Sequence, residues 1–179
     1  MIVTILRHGQ AGAAPKDSLR TLTAQGIQDV SLAAHKLLAA TVQRHLPAPS
    51  SILYSEWLRT KQTAQIVAEK MPEASMQAAD ALVPGGTQAE VDALLEHICT
   101  NENTVDHALL VSHQPLVSEL ADYYLGQAGL ISPLSPGSLV TMEIEVPDAV
   151  PSKQKDSTWK RAQNFLGRKR PPRRRNPED

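Results

Sequence analysis

The sequence predicts a three-layer α/β/α sandwich with a mainly parallel central sheet and an antiparallel edge strand. Two patterns carry this prediction. Short apolar runs alternate with longer segments of helical period, and one late segment alternates polar and apolar residues. With 179 residues the chain suits one domain, large enough to bury roughly 70% of the surface exposed when unfolded. Aromatics are only 3% of the chain, so the core must rest on Leu, Ile, Val and Ala.

Ile2 to Leu6 is apolar and β-rich and stops at Arg7-His8-Gly9, the pattern of a buried strand ending in a turn. A loop with Gly12 and Pro15 follows. Thr23 is an N-cap candidate for a helix through about His45, with Ile27, Val30, Leu37 and Leu38 facing inward. Pro47 and Pro49 end it. Ser51 to Tyr54 is a second strand, and Ser55 then stands as N-cap of a helix with Leu58, Ile66 and Val67 inward. Gly85-Gly86 turns the chain into a helix from Gln88 to about Thr100, capped by Thr87. Leu109 to Ser112 is a third strand, and Pro115 opens a fourth helix, where the first turn tolerates proline. Ser138 to Val146 alternates as a half-exposed edge strand does.

The net charge of −1 conceals an asymmetry. Residues 1–152 hold 8 Lys and Arg against 16 Asp and Glu, whereas residues 153–179 hold 10 against 3. This places a domain at 1–152 and a basic tail at 153–179, expected to be disordered apart from one short helix over about Ser157 to Leu166. Arg168-Lys169-Arg170 and Arg173-Arg174-Arg175 suit an electrostatic partner or simple solvation. A nucleic-acid partner would give strong salt dependence and is not favoured. The single cysteine, Cys99, excludes an internal disulfide. With no signal-like start and no apolar run near the ~20 residues of a membrane span, the expected location is the cytoplasm.

Three predicted strands end in reactive residues: Arg7-His8-Gly9, Ser55 with Arg59 just beyond, and Ser112-His113-Gln114. Ligands of open α/β sheets bind beyond the carboxyl ends of the strands, so segments about 50 residues apart in sequence converge there. Two arginines, a second histidine and nearby helix starts make an anion site suited to phosphate. Gly9 supplies the turn and lets backbone N–H groups approach the ligand. A neutral His8 inside this cluster can attack phosphorus, because neighbouring cations oppose its protonation. Phosphoryl transfer needs mainly positioning and charge stabilisation, so no cofactor is called for. His35, His45, His97 and His107 form no metal-ligand pattern and read as surface or packing residues.

At these residues the chain resembles the histidine phosphatase superfamily, whose fold is phosphoglycerate mutase-like. Arg7-His8-Gly9 matches its Arg-His-Gly, Leu22-Thr23-Ala24-Gln25-Gly26 its Leu-Thr-x-x-Gly, and Arg59-Thr60-Lys61-Gln62-Thr63 its Arg-x-x-Gln-Thr. Val111-Ser112-His113-Gln114-Pro115 matches the late histidine. Asp17-Ser18-Leu19-Arg20 and Leu82-Val83-Pro84-Gly85-Gly86 look most like the small SixA-type phosphohistidine phosphatases. The resemblance implies a hydrolase in which His8 is the nucleophile and a covalent phosphohistidine forms. Arg7, Arg59 and His113 match the phosphate-binding set, with Gly9, Ser55 and Gln114 as further contacts and Asp17 and Arg20 as rim residues or a substitute acid. Two departures stand out: Glu56 replaces a frequent proline, and Pro84 occupies the slot where larger relatives carry a glutamate general acid.

The leading expectation is therefore a phosphatase acting on a phosphohistidine-bearing protein or domain. The alternatives are a small-molecule phosphomonoesterase of the same superfamily and a phosphate-dependent binding module.

Overall fold

The computed structural model describes residues 1–100, 105–126, 129, 132–145 and 163–164. In chain order its elements are β1 (Ile2–Arg7), α1 (Ala24–Arg44), β2 (Ser51–Tyr54), α2 (Leu58–Ala68), β3 (Ser75–Ala78), α3 (Gln88–Thr100), β4 (His107–Ser112), α4 (Leu116–Leu125), β5 (Leu139–Glu143) and β6 (Gln163–Asn164). Single 3-10 turns lie at Asp17–Leu19 and Asp80–Leu82.

The sheet order is β3-β2-β4-β1-β5-β6, with β1 to β4 parallel, β5 antiparallel to β1 and β6 antiparallel to β5. Strand alternation sends side chains to two faces. Val3, Ile5, Leu53, Leu110 and Met142 pack under α3 and α4 with Val91, Leu95, Val117 and Leu120. Leu6, Ile52, Leu109 and Val111 pack under α1 and α2 with Val30, Leu37, Ala64 and Val67. The result is the expected three-layer α/β/α sandwich.

One polar chain crosses the interior. His107 is fully buried; its Nδ1 lies 2.8 Å from the Pro47 carbonyl, so that nitrogen carries the proton. Nε2 then accepts from the Thr4 hydroxyl at 2.8 Å, and Thr4 Oγ1 accepts from Thr141 at 2.8 Å. Every member is satisfied, as burial demands.

The cap of α1 is as read: Thr23 Oγ1 accepts from the Gly26 N–H at 3.0 Å. Thr87 and Glu90 form a reciprocal capping box at the start of α3. Four expectations need correction. Helix α2 begins at Leu58 after Trp57, so Ser55 is not its N-cap; Ser55 is wholly buried and serves the site instead. Ile27 is 47% exposed, because α1 turns Gly26, Val30, Ala34, Leu37 and Thr41 inward. Strand β3 has no counterpart in the sequence reading: Ser-Met-Gln-Ala alternates, but it is only four residues long, exposed throughout and without β-branched or aromatic residues. Finally, Gln163–Asn164 pairs with Met142 and Glu143 as a strand where a helix was expected, so β5 is not the edge. The rest of the basic tail, and Val146, lie outside the described residues.

Among the described residues no helix is long and apolar enough to cross a membrane.

Candidate active site

Strands β2, β4 and β1 lie side by side, and their carboxyl ends are tied together by backbone. The His8 N–H donates to the Ser112 carbonyl at 3.1 Å, and the Ser55 N–H donates to the Val111 carbonyl at 3.1 Å. Beyond these ends opens a pocket of about 360 Å³ lined by Arg7, His8, Arg59 and His113, together with Gln114, Asp17 and Arg20. The three segments expected to converge do so.

The loop after β1 is held from two sides. The Gly9 N–H donates to Thr63 Oγ1 at 3.1 Å, and Thr63 in turn donates to the Arg59 carbonyl at 2.7 Å. Gln62 Oε1 accepts from the Leu22 N–H at 2.8 Å, joining α2 to the lead-in of α1. Glycine is required where the loop meets α1. A Cβ on Gly9 would sit 2.8 Å from the Gly26 carbonyl oxygen, and a Cβ on Gly26 would collide with the Gln10 backbone. Gly9 thus acts through close packing. Its N–H, expected to face a ligand, is already committed to Thr63, and Gly9 is absent from the pocket lining.

His8 is oriented at both ring nitrogens. Nδ1 lies 2.8 Å from the Gly9 carbonyl, and a carbonyl can only accept, so the proton is on Nδ1. Arg59 Nε donates to Nε2 at 3.1 Å, which requires a lone pair there. Burial, reinforced by the charges of Arg59, Arg7 and Arg20, lowers the His8 pKa to about 4 despite the opposing Gly9 contact. At neutral pH His8 is an uncharged imidazole with a defined nucleophilic nitrogen.

His113 stands beside it, ring centroids 5.0 Å apart and edge-on. Its Nε2 lies 2.8 Å from Ser55 Oγ, and Trp57 packs against its ring at 5.2 Å. Burial and then the nearby His8 and Arg59 charges push its pKa down to about 3.

Arg59 is 5% exposed and stacked over Trp57, its guanidinium carbon 4.7 Å from a ring centroid. Nη1 donates to the Asp17 carbonyl at 2.7 Å and Nη2 to the Asp17 carboxylate at 3.1 Å. Arg20 pairs with the other Asp17 oxygen at 3.0 Å and binds the Gly12 and Ala11 carbonyls. Hydrogen bonds from Arg20 and Arg59 hold the Asp17 carboxyl below the usual carboxylate range, so it is a poor proton donor. On the far side, Arg7 Nη1 donates to the Leu134 carbonyl at 2.6 Å. Gln114 Nε2 donates to the same carbonyl and to Ser118 Oγ.

Several contributors escaped the sequence reading. Gln10, Ala11 and Pro136 line the pocket, and Leu134 and Ser118 support it. Only Trp57, a rare aromatic two positions before Arg59, left a signal. Pro84, noted as standing in the acid slot, also lines the pocket. Among the described residues no three His, Cys, Asp or Glu side chains are grouped to hold a metal.

No model of a known family matches this sequence, and no curated protein matches it. Solved structures do. The protein histidine phosphatase SixA complexed with tungstate is 24% identical with a TM-score of 0.67, covering 92% of this chain and 97% of its own. A SixA protein from Agrobacterium tumefaciens, assigned as a phosphohistidine phosphatase, is 26% identical with a TM-score of 0.63, covering 79% and 90%. Mycobacterial glucosyl-3-phosphoglycerate phosphatase is 15% identical with a TM-score of 0.64, covering 93% and 98%. The chain thus has the phosphoglycerate mutase-like fold, and it is similar to the SixA-type members of the histidine phosphatase superfamily.

Proposed function

We propose that this phosphatase-like protein hydrolyses phosphohistidine on a partner protein or domain, with His8 accepting the phosphoryl group. One observation carries the anion-binding part of this reading. Among the described residues two buried side-chain nitrogens lack a hydrogen-bond partner, Arg7 Nε and His113 Nδ1, and both belong to this pocket. Buried polar groups are otherwise paired, so unpaired nitrogens flanking a nucleophile suit phosphoryl oxygens. The likeness to a SixA bound to tungstate, a tetrahedral oxyanion, agrees.

The chemistry balances without further groups. The Nε2 lone pair of His8 attacks phosphorus, the substrate P–N bond breaks, and its electron pair stays on the departing nitrogen. A phosphohistidine protonated on its other ring nitrogen leaves as neutral imidazole. The new phosphohistidine keeps its proton at Nδ1, on the Gly9 carbonyl. Water then displaces His8 as neutral imidazole and phosphate is released. Arg7, Arg59 and His113 stabilise the phosphoryl oxygens throughout.

Preference for P–N bonds follows from the leaving group. An alkoxide, whose parent resembles water with a pKa of ~15.7, requires a general acid, a contribution of typically ~10²–10⁴-fold. Pro84 has no proton to give, and Asp17 is held ionised by two arginines. Rates on a phosphohistidine protein, an aryl phosphate and an alkyl phosphate should fall in that order. Faster hydrolysis of phosphoserine than of phosphohistidine would overturn the assignment and favour a phosphomonoesterase.

A further inference from the structure

We infer that Asp17 is a built-in competitor for the phosphoryl group, occupying the terminal nitrogens of Arg59 until substrate displaces it. The inference rests on the phosphate-binding role proposed above for Arg59. Nη1 and Nη2 of Arg59 are the planar fork that would grip a phosphoryl face. Both are held by one residue, Nη1 by the Asp17 carbonyl at 2.7 Å and Nη2 by its carboxylate at 3.1 Å. A carboxylate is the protein's own nearest analogue of a phosphoryl edge.

The location of Asp17 suits exchange. Arg59 is rigidly placed, buried and stacked on Trp57, whereas the Asp17 side chain is 53% exposed on a short 3-10 turn. The Asp17 carboxylate can therefore withdraw from Nη2 while Arg59 and the Asp17 carbonyl stay. Arg20, whose Nε and Nη2 bind loop carbonyls, holds the second Asp17 oxygen and can keep the carboxylate at the rim when it lets go of Arg59. Among the described residues, Asp17 is also the only carboxylate in a pocket lining that includes Arg7, Arg20 and Arg59. It lowers the affinity of the site for any dianion, product phosphate included, and so favours turnover over product capture.

The test is calorimetric binding of tungstate and of inorganic phosphate to the full chain and to Asp17→Asn and Asp17→Glu. Asp17→Asn keeps the shape and removes the charge at an exposed site. It should bind both anions more tightly, on the order of tenfold, the scale of one unit charge removed a few ångströms away. Phosphate inhibition of aryl phosphate hydrolysis should tighten in parallel and KM should fall. Asp17→Glu, which keeps the charge, should stay near wild type. Unchanged or weaker anion binding by Asp17→Asn, with kcat falling at constant KM, would show that Asp17 merely positions Arg59. Equal tightening by Asp17→Glu would likewise overturn the inference, since charge would then not be the cause. Failure of the wild type to bind either anion would overturn the phosphate-site reading itself, and this inference with it.

Discussion

Arg59 Nε donates to His8 Nε2 at 3.1 Å, placing a guanidinium donor on the nitrogen proposed to attack phosphorus. The contact fixes the tautomer before substrate arrives. During attack the same N–H can pass from the nitrogen lone pair to a phosphoryl oxygen, following the charge as it moves. The proposed nucleophile and its stabiliser are thus one hydrogen-bonded unit.

His8→Ala should abolish turnover and leave the fold intact, because the imidazole is the proposed phosphoryl acceptor and packs at a pocket rather than in the core. The check is an acid-labile phosphoenzyme trapped on the wild type and missing from the variant. Near-normal turnover by the variant would remove His8 from the mechanism.

Arg59→Ala should slow phosphoryl transfer on the order of 10²–10³-fold, as loss of one preorganised donor does. Arg59→Lys should recover little of it. A lysine carries the charge but not the Nε contact to His8 or the flat face over Trp57. Single-turnover rates on an aryl phosphate decide the matter.

The pH dependence has a definite sign. An ordinary imidazole is half protonated near pH 6.5, but burial and three arginines hold His8 at about 4. Turnover should therefore persist below pH 6 and fall only as the pH approaches 4. Folding stability moves the same way. Between about 6.5 and 4 the unfolded chain takes up a proton at His8 that the folded chain refuses. That stabilisation is complete above 6.5 and lost progressively down to 4, and His113, at about 3, adds to it. Profiles of kcat/KM and of denaturant midpoint against pH measure both. A rate midpoint near 6.5 would mean that His8 is not shielded as described.

Ser55→Ala should cost about 1–3 kcal/mol of stability, since it leaves His113 Nε2 buried without its partner. Turnover should drop as His113 loses its orientation. Equilibrium unfolding alongside kcat separates this from a helix-cap defect, which would lower helicity at the start of α2 instead.

The residues that gather in the pocket were legible because Arg7, His8 and His113 sit where an apolar strand stops abruptly and Arg59 opens the helix just after one, and the fold class followed from the alternation that produces those stops. Arg7, His8, Arg59 and His113 needed no more than that, with the motif resemblance to order them. Ser55 misled because a serine before a helical run looks like a cap, and only tertiary packing reveals that His113 needs its hydroxyl. Ile27 misled because bulk was weighed above smallness: α1 approaches the loop through Gly26, a residue that adds nothing to an apolar face. Gln62 and Thr63 were visible as letters of a motif, but their tasks, holding Leu22 and Gly9, connect separate segments and leave no local trace. Strand β3 is short and exposed and has no β-branched or aromatic residue, so its composition does not separate it from a loop.

The buried chain from Thr141 through Thr4 and His107 to Pro47 has a consequence for assembly. A parallel sheet of Val, Leu and Ile tolerates sliding, because one apolar neighbour is much like the next. Three polar side chains that satisfy one another only in a single alignment do not. A slip of one residue would turn each to the opposite face and leave it buried and unpaired. The alignment they enforce sets Ile2 against His107 and Glu143, and therefore Arg7 against Ser112. The spacing of His8 and His113 is thus proofread inside the sheet, by residues that never meet the substrate.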